Sequence, residues 1–235
     1  ISEGLVGSEM CIRDSIITDL SEYEIDILNE YGYPYEIEID DVKEFYKERL
    51  SKPSQYPYEK NEDCAGGNGG SGSFVPAIPS NFNLGSQGGY LTYNEMLAEL
   101  DAMYAQFPNI ISQRSPISNF NTYEGRPIFH ATISDNPNSN EAGETNVLYT
   151  AIHHAREPMS LMETIFYMWY LLENYGIDDE VTYLVDHTRM FFVPCLNPDG
   201  YIYNEEEDPN GGGMWRKNRR DHPNSNNFGV DLNRN

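Results

Sequence analysis

Apolar side chains at Met96, Leu97, Leu100, Met103, Tyr104 and Phe107 recur at the three-and-four spacing of one helix face, and Pro108 ends the run. Thr92 and Glu95 form a T-x-x-E capping box, and Leu91 with Met96 a hydrophobic staple, so the start of this helix is fixed locally. Strand-like runs follow over 128–133 and 146–152, the second apolar enough to be buried on both faces of a sheet. Residues 159–175 are apolar on nearly every side (Leu161, Met162, Ile165, Phe166, Met168, Trp169) and precede Gly176, which predicts a buried helix with a glycine C-cap. A shorter helix over 178–186 leads into the apolar run 190–196. Strand, helix and strand in alternation imply an α/β sandwich.

The upstream part has a different texture. Residues 16–50 are acidic, with an alternating stretch over 35–39 that suits a short strand, and Asp40 and Asp41 placed to cap a helix running to residue 50. Such a unit is too small to bury a core alone, and it is read as the remnant of a pro-domain. Residues 51–88 contain Pro53, Pro57 and the glycine-serine run 66–72, the composition of a flexible connector open to proteolysis, where an activating cleavage is expected. Residues 1–15 do not read as a structural element; their GSEMCIRDS string resembles translated adaptor sequence, and they are taken as non-native. The main domain is placed at 89–235.

Composition narrows the function classes. The 235 residues, 39% of them hydrophobic, suffice for one sizeable core. Against 15 Lys+Arg stand 38 Asp+Glu, and a net charge of -23 repels nucleic acid and anionic membrane surfaces. Cys11, Cys64 and Cys195 form neither a C-x-x-C pair nor a disulfide framework, which excludes a thiolate zinc site. No apolar run is long enough to cross a bilayer, and no leader-like segment opens the chain, so an export signal is expected upstream of residue 1.

The candidate chemistry begins at His153-His154-Ala155-Arg156-Glu157, directly after an apolar strand, where open α/β sheets place their ligand sites. A His and a Glu three apart can turn an imidazole nitrogen and a carboxylate oxygen towards one cation; by itself the pattern also reads as a loop ion pair with Arg156. Asn197-Pro198-Asp199-Gly200-Tyr201 then reads as a tight turn ending the next strand. Residues 214–220 (MWRKNRR) concentrate cations in an acidic chain, and 229–235 (GVDLNRN) follow.

These motifs, in this order over roughly 89–235, resemble the zinc carboxypeptidases of the carboxypeptidase A type. The resemblance implies a three-layer α/β sandwich with a mixed, mostly parallel sheet, truncated at its C-terminus. It implies one Zn2+ per complete protein, with His154 and Glu157 as two of its ligands. It places Asn233 and Arg234 on the substrate's terminal carboxylate, Arg216 beside the scissile carbonyl oxygen, and Arg156 along the peptide side of the cleft. Arginine suits both tasks, because its planar fork matches a carboxylate and keeps its proton. His153, His130, His187 and His222 fall outside the family's motifs and are read as structural.

The implied activity is hydrolysis of the C-terminal bond of peptides and proteins by a zinc-activated water, in a secreted, monomeric enzyme. In the family the remaining histidine ligand and the general-base glutamate follow the Asn-Arg motif. The chain stops one residue beyond Arg234, so it is expected to be inactive as written and to expose an apolar sheet edge. Two alternatives stand beside this reading: a zinc-dependent amidohydrolase or deacylase, and a non-catalytic peptide-binding homologue.

Overall fold

The computed structural model describes residues 22–41, 44–45, 78–223 and 228–234. The chain divides into two compact units, Ile1–Glu48 and Arg49–Asn235. Residues 1–15, taken from the sequence as non-native, the glycine-serine run, Cys11, Cys64 and Asn235 lie outside the described residues.

In the first unit, helix α1 (Glu22–Tyr31), which the sequence reading missed, closes with Tyr33 N–H on the Leu28 carbonyl. Asp41 accepts the Glu44 N–H at 2.9 Å, the cap expected of it, and the rest of the helix expected up to residue 50 lies outside the described residues. The strand expected over 35–39 is absent: this stretch is irregular, with Tyr35, Ile37 and Ile39 exposed. Alternation alone cannot make a strand, because a ladder needs a partner for its N–H and C=O groups.

The second unit starts earlier than the predicted connector allows. Glu173 accepts four hydrogen bonds from Ser80 and Asn81, two from backbone N–H groups and two from side chains, and Phe82 packs on the core. Residues 78–88 therefore belong to the folded unit, while 51–77 lie outside the described residues.

Helix α2 (Tyr93–Gln106) carries both halves of the capping box: Thr92 Oγ1 accepts from Glu95 N–H at 3.2 Å, and Glu95 accepts from Thr92 N–H at 2.8 Å. Helix α3 (Met159–Asn174) buries Leu161, Met162, Ile165, Met168, Trp169, Leu171 and Leu172, each such burial worth about 1.5–3 kcal/mol. It ends where Gly176 takes φ +76°, a conformation that favours glycine. Helix α4 (Asp179–His187) is capped by Asp178, and helix α5 (Pro198–Glu207) follows the last strand directly.

Strands β1 (Ser115–Pro116), β2 (Phe129–Ile133), β3 (Thr145–Thr150) and β4 (Thr188–Val193) form one mixed sheet in the order β1-β2-β4-β3. The longest ladder, β3 with β4, is parallel; β2 pairs antiparallel with β4 and with β1. Sheet and helices make an α/β fold whose core joins Met96, Leu100 and Met103 of α2, the buried face of α3, and Ile133, Met190 and Phe192 of the sheet. Strand β3 is not buried on both faces as its apolar run suggested. It stands at the edge of the described sheet, and its Leu148 is 64% exposed.

Candidate functional site

The register of the parallel pair decides where the chemistry gathers. Thr150 lies beside Val193, and the ladder continues past the strand ends: Ala151 N–H donates to the Val193 carbonyl and Leu196 N–H to that of Ala151. Residues 152–157 and 197–201 therefore leave the sheet side by side at its C-terminal end, the ligand-binding end of open α/β sheets. The chain turns at Ile152, a β-branched residue held at φ +48° and fully buried, whose N–H donates to Ser160 Oγ at 3.1 Å. A left-handed β-branched residue is strained, and the strain here sits two residues ahead of His154.

His154 is buried, 5% exposed. Its Nδ1 lies 2.9 and 3.0 Å from the two oxygens of Glu157, and its Nε2 lies 3.0 Å from Oδ1 of Asp231. A neutral imidazole carries one N–H. With that hydrogen on Nε2 donating to Asp231, the Nδ1 lone pair faces the Glu157 carboxylate. Two acceptors then confront each other across about 3 Å, an arrangement that a cation between them relieves. The imidazole and carboxylate are zinc-type donors, and they fit the ion. Among the described residues no group of three or more His, Cys, Asp or Glu side chains could hold a metal, so these two are a partial set.

Arg216 ties the carboxylates together. Its Nε donates to Asp231 Oδ2 at 3.1 Å and its Nη1 to Glu157 Oε1 at 3.3 Å, while its carbonyl accepts the Ala155 N–H. Burial works against the charge on Asp231, but hydrogen bonds from the Asn233 N–H, Arg216 and His154 outweigh it and lower its pKa to about 2. Asp231 is thus an anion that orients the imidazole. It stood in the GVDLNRN string without an assigned role; its spacing two residues before Asn233 was the available signal.

Of the residues singled out from sequence, the structure brings His154, Glu157 and Arg216 together. Asn233 reaches them through its backbone N–H, 2.9 Å from Asp231, and its side chain is exposed. Arg234 is exposed and bonds the Asn233 carbonyl, and Arg156 is half-exposed on the turn between His154 and Glu157. His153 meets Thr150, His130 meets Ser115, His187 the Tyr183 carbonyl and His222 the Gly229 carbonyl.

The NPDG segment is not the turn its Pro and Gly suggested; it is the first turn of α5. Asn197 is the N-cap, accepting the Gly200 N–H, and Pro198 begins the helix. Along one side α5 holds the irregular segment that carries Arg216. Asn204 donates to the Trp215 carbonyl at 2.9 Å and accepts the Trp215 N–H at 2.8 Å, as a strand partner would. Arg219 of the basic block lies over the rings of Tyr203 and Trp215, with centroids at 3.8 and 4.5 Å. Buried Asp199 accepts from Thr122, Glu124 N–H and Arg126, fixing the loop before β2.

At the parallel strand ends of an α/β sheet, a His-Glu donor pair backed by a carboxylate and an arginine has the donor chemistry of part of a zinc site. The family profile described as zinc carboxypeptidase matches residues 96–235. The zinc carboxypeptidase of Saccharothrix mutabilis subsp. capreolus is 33% identical over 149 residues, covering 63% of this chain and 32% of that protein. Human carboxypeptidase D is 34% identical over 167 residues, 71% of this chain and 11% of that protein. The carboxypeptidase A structure from Helicoverpa armigera superposes with a TM-score of 0.63 at 25% identity, over 91% of this chain and 46% of that one. The chain belongs to the zinc carboxypeptidase family. It spans about a third of the length of the Saccharothrix protein and less than half of the insect one.

Proposed function

We propose that the full-length gene product is a secreted zinc metallocarboxypeptidase that hydrolyses the C-terminal peptide bond of peptides and proteins. The junction of His154, Glu157, Asp231 and Arg216 carries this reading. His154 and Glu157 would hold the zinc, which when bound supplies a Lewis acid and lowers the pKa of a water molecule. Asp231 keeps the His154 ring in the tautomer that leaves Nδ1 free for the metal. Arg216 stands beside the pair with a permanent charge, where negative charge develops on the scissile carbonyl oxygen. Asn233 and Arg234 receive the substrate's terminal carboxylate, and Arg156 lines the peptide side. Residues 16–50 are read as the remnant of a pro-segment; the likeness to the insect carboxypeptidase A structure covers 91% of the chain and so reaches upstream of the family match, which begins at residue 96.

The test uses the full-length gene product without residues 1–15. Stoichiometric zinc and chelator-sensitive release of C-terminal amino acids from blocked dipeptides are expected. Glu157→Ala is expected to lose both zinc and activity, and Arg234→Ala to lose activity through a raised KM. Zinc without peptide hydrolysis would favour a deacylase or a binding homologue, and absence of zinc would overturn the site.

A further inference from the structure

Three stretches of backbone meet behind the metal pair, and one side chain touches them all. Asn197 is 2% exposed at the start of α5. Its Nδ2 lies 3.3 Å from the carbonyl oxygen of His153 and 3.1 Å from that of Lys217, and its Oδ1 accepts the Gly200 N–H at 3.2 Å. His153 immediately precedes His154, and Lys217 immediately follows Arg216. An amide NH2 offers two hydrogens in one plane, so one on each carbonyl uses its donors fully and sets the two segments at a fixed spacing.

The surroundings leave that spacing little freedom. The Ala155 N–H donates to the Arg216 carbonyl at 3.0 Å, closing the same junction directly. A Cβ added at Gly200 would stand 2.5 Å from the Lys217 oxygen and 2.9 Å from the Ala155 Cβ, so α5 is pressed against both segments. As an N-cap alone the position would accept Ser, Asp or Thr nearly as well as Asn. What asparagine adds is the pair of donors, and both are spent on the backbone flanking the site. Asn204, two turns along the helix, grips the Arg216 segment through Trp215.

We infer that Asn197 is a positioning residue whose amide sets the placement of Arg216 relative to the His154–Glu157 pair, so that the guanidinium meets the oxyanion forming on the substrate. This rests on the zinc carboxypeptidase reading above. Misplacement of such a group by an ångström is enough to cost roughly 100-fold.

The experiment compares two ligands in the zinc-loaded full-length gene product. One is a peptide phosphonate, tetrahedral and anionic at the scissile position; the other is a product-like ligand with a C-terminal carboxylate and no tetrahedral group. Calorimetric titration reports affinity separately from the fraction of folded sites. Asn197→Ser keeps the cap and removes the donors. It is expected to weaken the phosphonate by roughly 10–100-fold while leaving the product-like ligand within about twofold. In an Arg216→Ala background the same substitution is expected to have no further effect. Equal weakening of both ligands, or an undiminished effect in the Arg216→Ala background, would show a purely structural role and overturn the inference. If Asn197→Ser does not fold, Asn197→Asp, which keeps both shape and cap, is measured by the same criteria. A wild-type protein that fails to bind the phosphonate would overturn the carboxypeptidase reading and this inference with it. A wild type that binds, with a variant indistinguishable from it, overturns the role of Asn197 alone.

Discussion

The α2–α3 layer and the chain around α5 are held together by different physics. Between α2 and α3 the contacts are apolar: Met96, Leu100, Met103, Ile165 and Met168 are all 1% exposed or less, and Trp169 adds a single polar tie to Glu99. Around α5, Tyr201 joins the apolar core, but the contacts to the irregular backbone beside the helix are donors and acceptors from Asn197, Asp199 and Asn204. Apolar packing is non-directional, so it stabilises the fold without fixing positions finely. Buried hydrogen bonds add less net stability, yet each one fixes a distance, and an unmet one is costly. The site is built where distances matter.

Three substitutions separate these roles, and the largest effect belongs to the apolar side. Trp169→Ala removes a side chain 1% exposed and is expected to cost about 3–5 kcal/mol of unfolding free energy. Equilibrium denaturation measures it, and zinc affinity of the remaining folded fraction should be unchanged. Gly200→Ala reverses the ratio. The new Cβ must displace the Lys217 carbonyl or Ala155, which is expected to cost about 1–3 kcal/mol in stability and a larger factor in zinc affinity and turnover. If metal titration shows normal affinity, the division between the two regions is wrong.

The smallest effect probes the contact between the regions. Burial raises the pKa of Glu205 on α5 to about 7 from an ordinary 4.5; the bond from Tyr93 N–H opposes this, and Glu95 adds to it. Folding therefore takes up a proton at Glu205 between those values. Its contribution to stability is full below pH 4.5 and lost as pH rises through 7. Glu205→Gln keeps an acceptor for Tyr93 and removes the titration. It is expected to raise the melting temperature near pH 8 by a few degrees and to leave it unchanged near pH 4, and a uniform shift at both would contradict the assignment.

The same division explains what could be read in the sequence. α2 and α3 were legible because an apolar face writes its period into the chain, and the Thr92–Glu95 box marked a boundary to the residue. α5 was not, because beside one apolar side chain, Tyr201, its buried residues are Pro198, Asp199, Gly200 and Asn204, types that ordinarily signal turns. His154, Glu157 and Arg216, which the structure brings together, were singled out through motif order. Asp231 and Asn197 were not assigned, since their roles are bonds to partners 77, 44 and 20 residues away, which no local pattern records. The apolar run of β3 reported its composition correctly, but burial depends on neighbours, and β3 stands at the edge of the described sheet.

The parallel pairing of β3 with β4 also orders events in time. Thr145 and Thr188 come together across roughly 40 residues of intervening chain, most of it α3 and α4, and such non-local pairings form late. His154 and Asn197 are brought side by side by that ladder and by nothing nearer in sequence. The helices are thus expected to report folding first, in amide protection measured by pulsed exchange, with the Ala151 and Leu196 amides protected only in the last phase. On the function proposed above, a metal ion arriving during synthesis would meet His154 and Glu157 on a short local turn long before Asp231 and Arg216 are in place, so the nascent chain and the finished site would present different coordination chemistry.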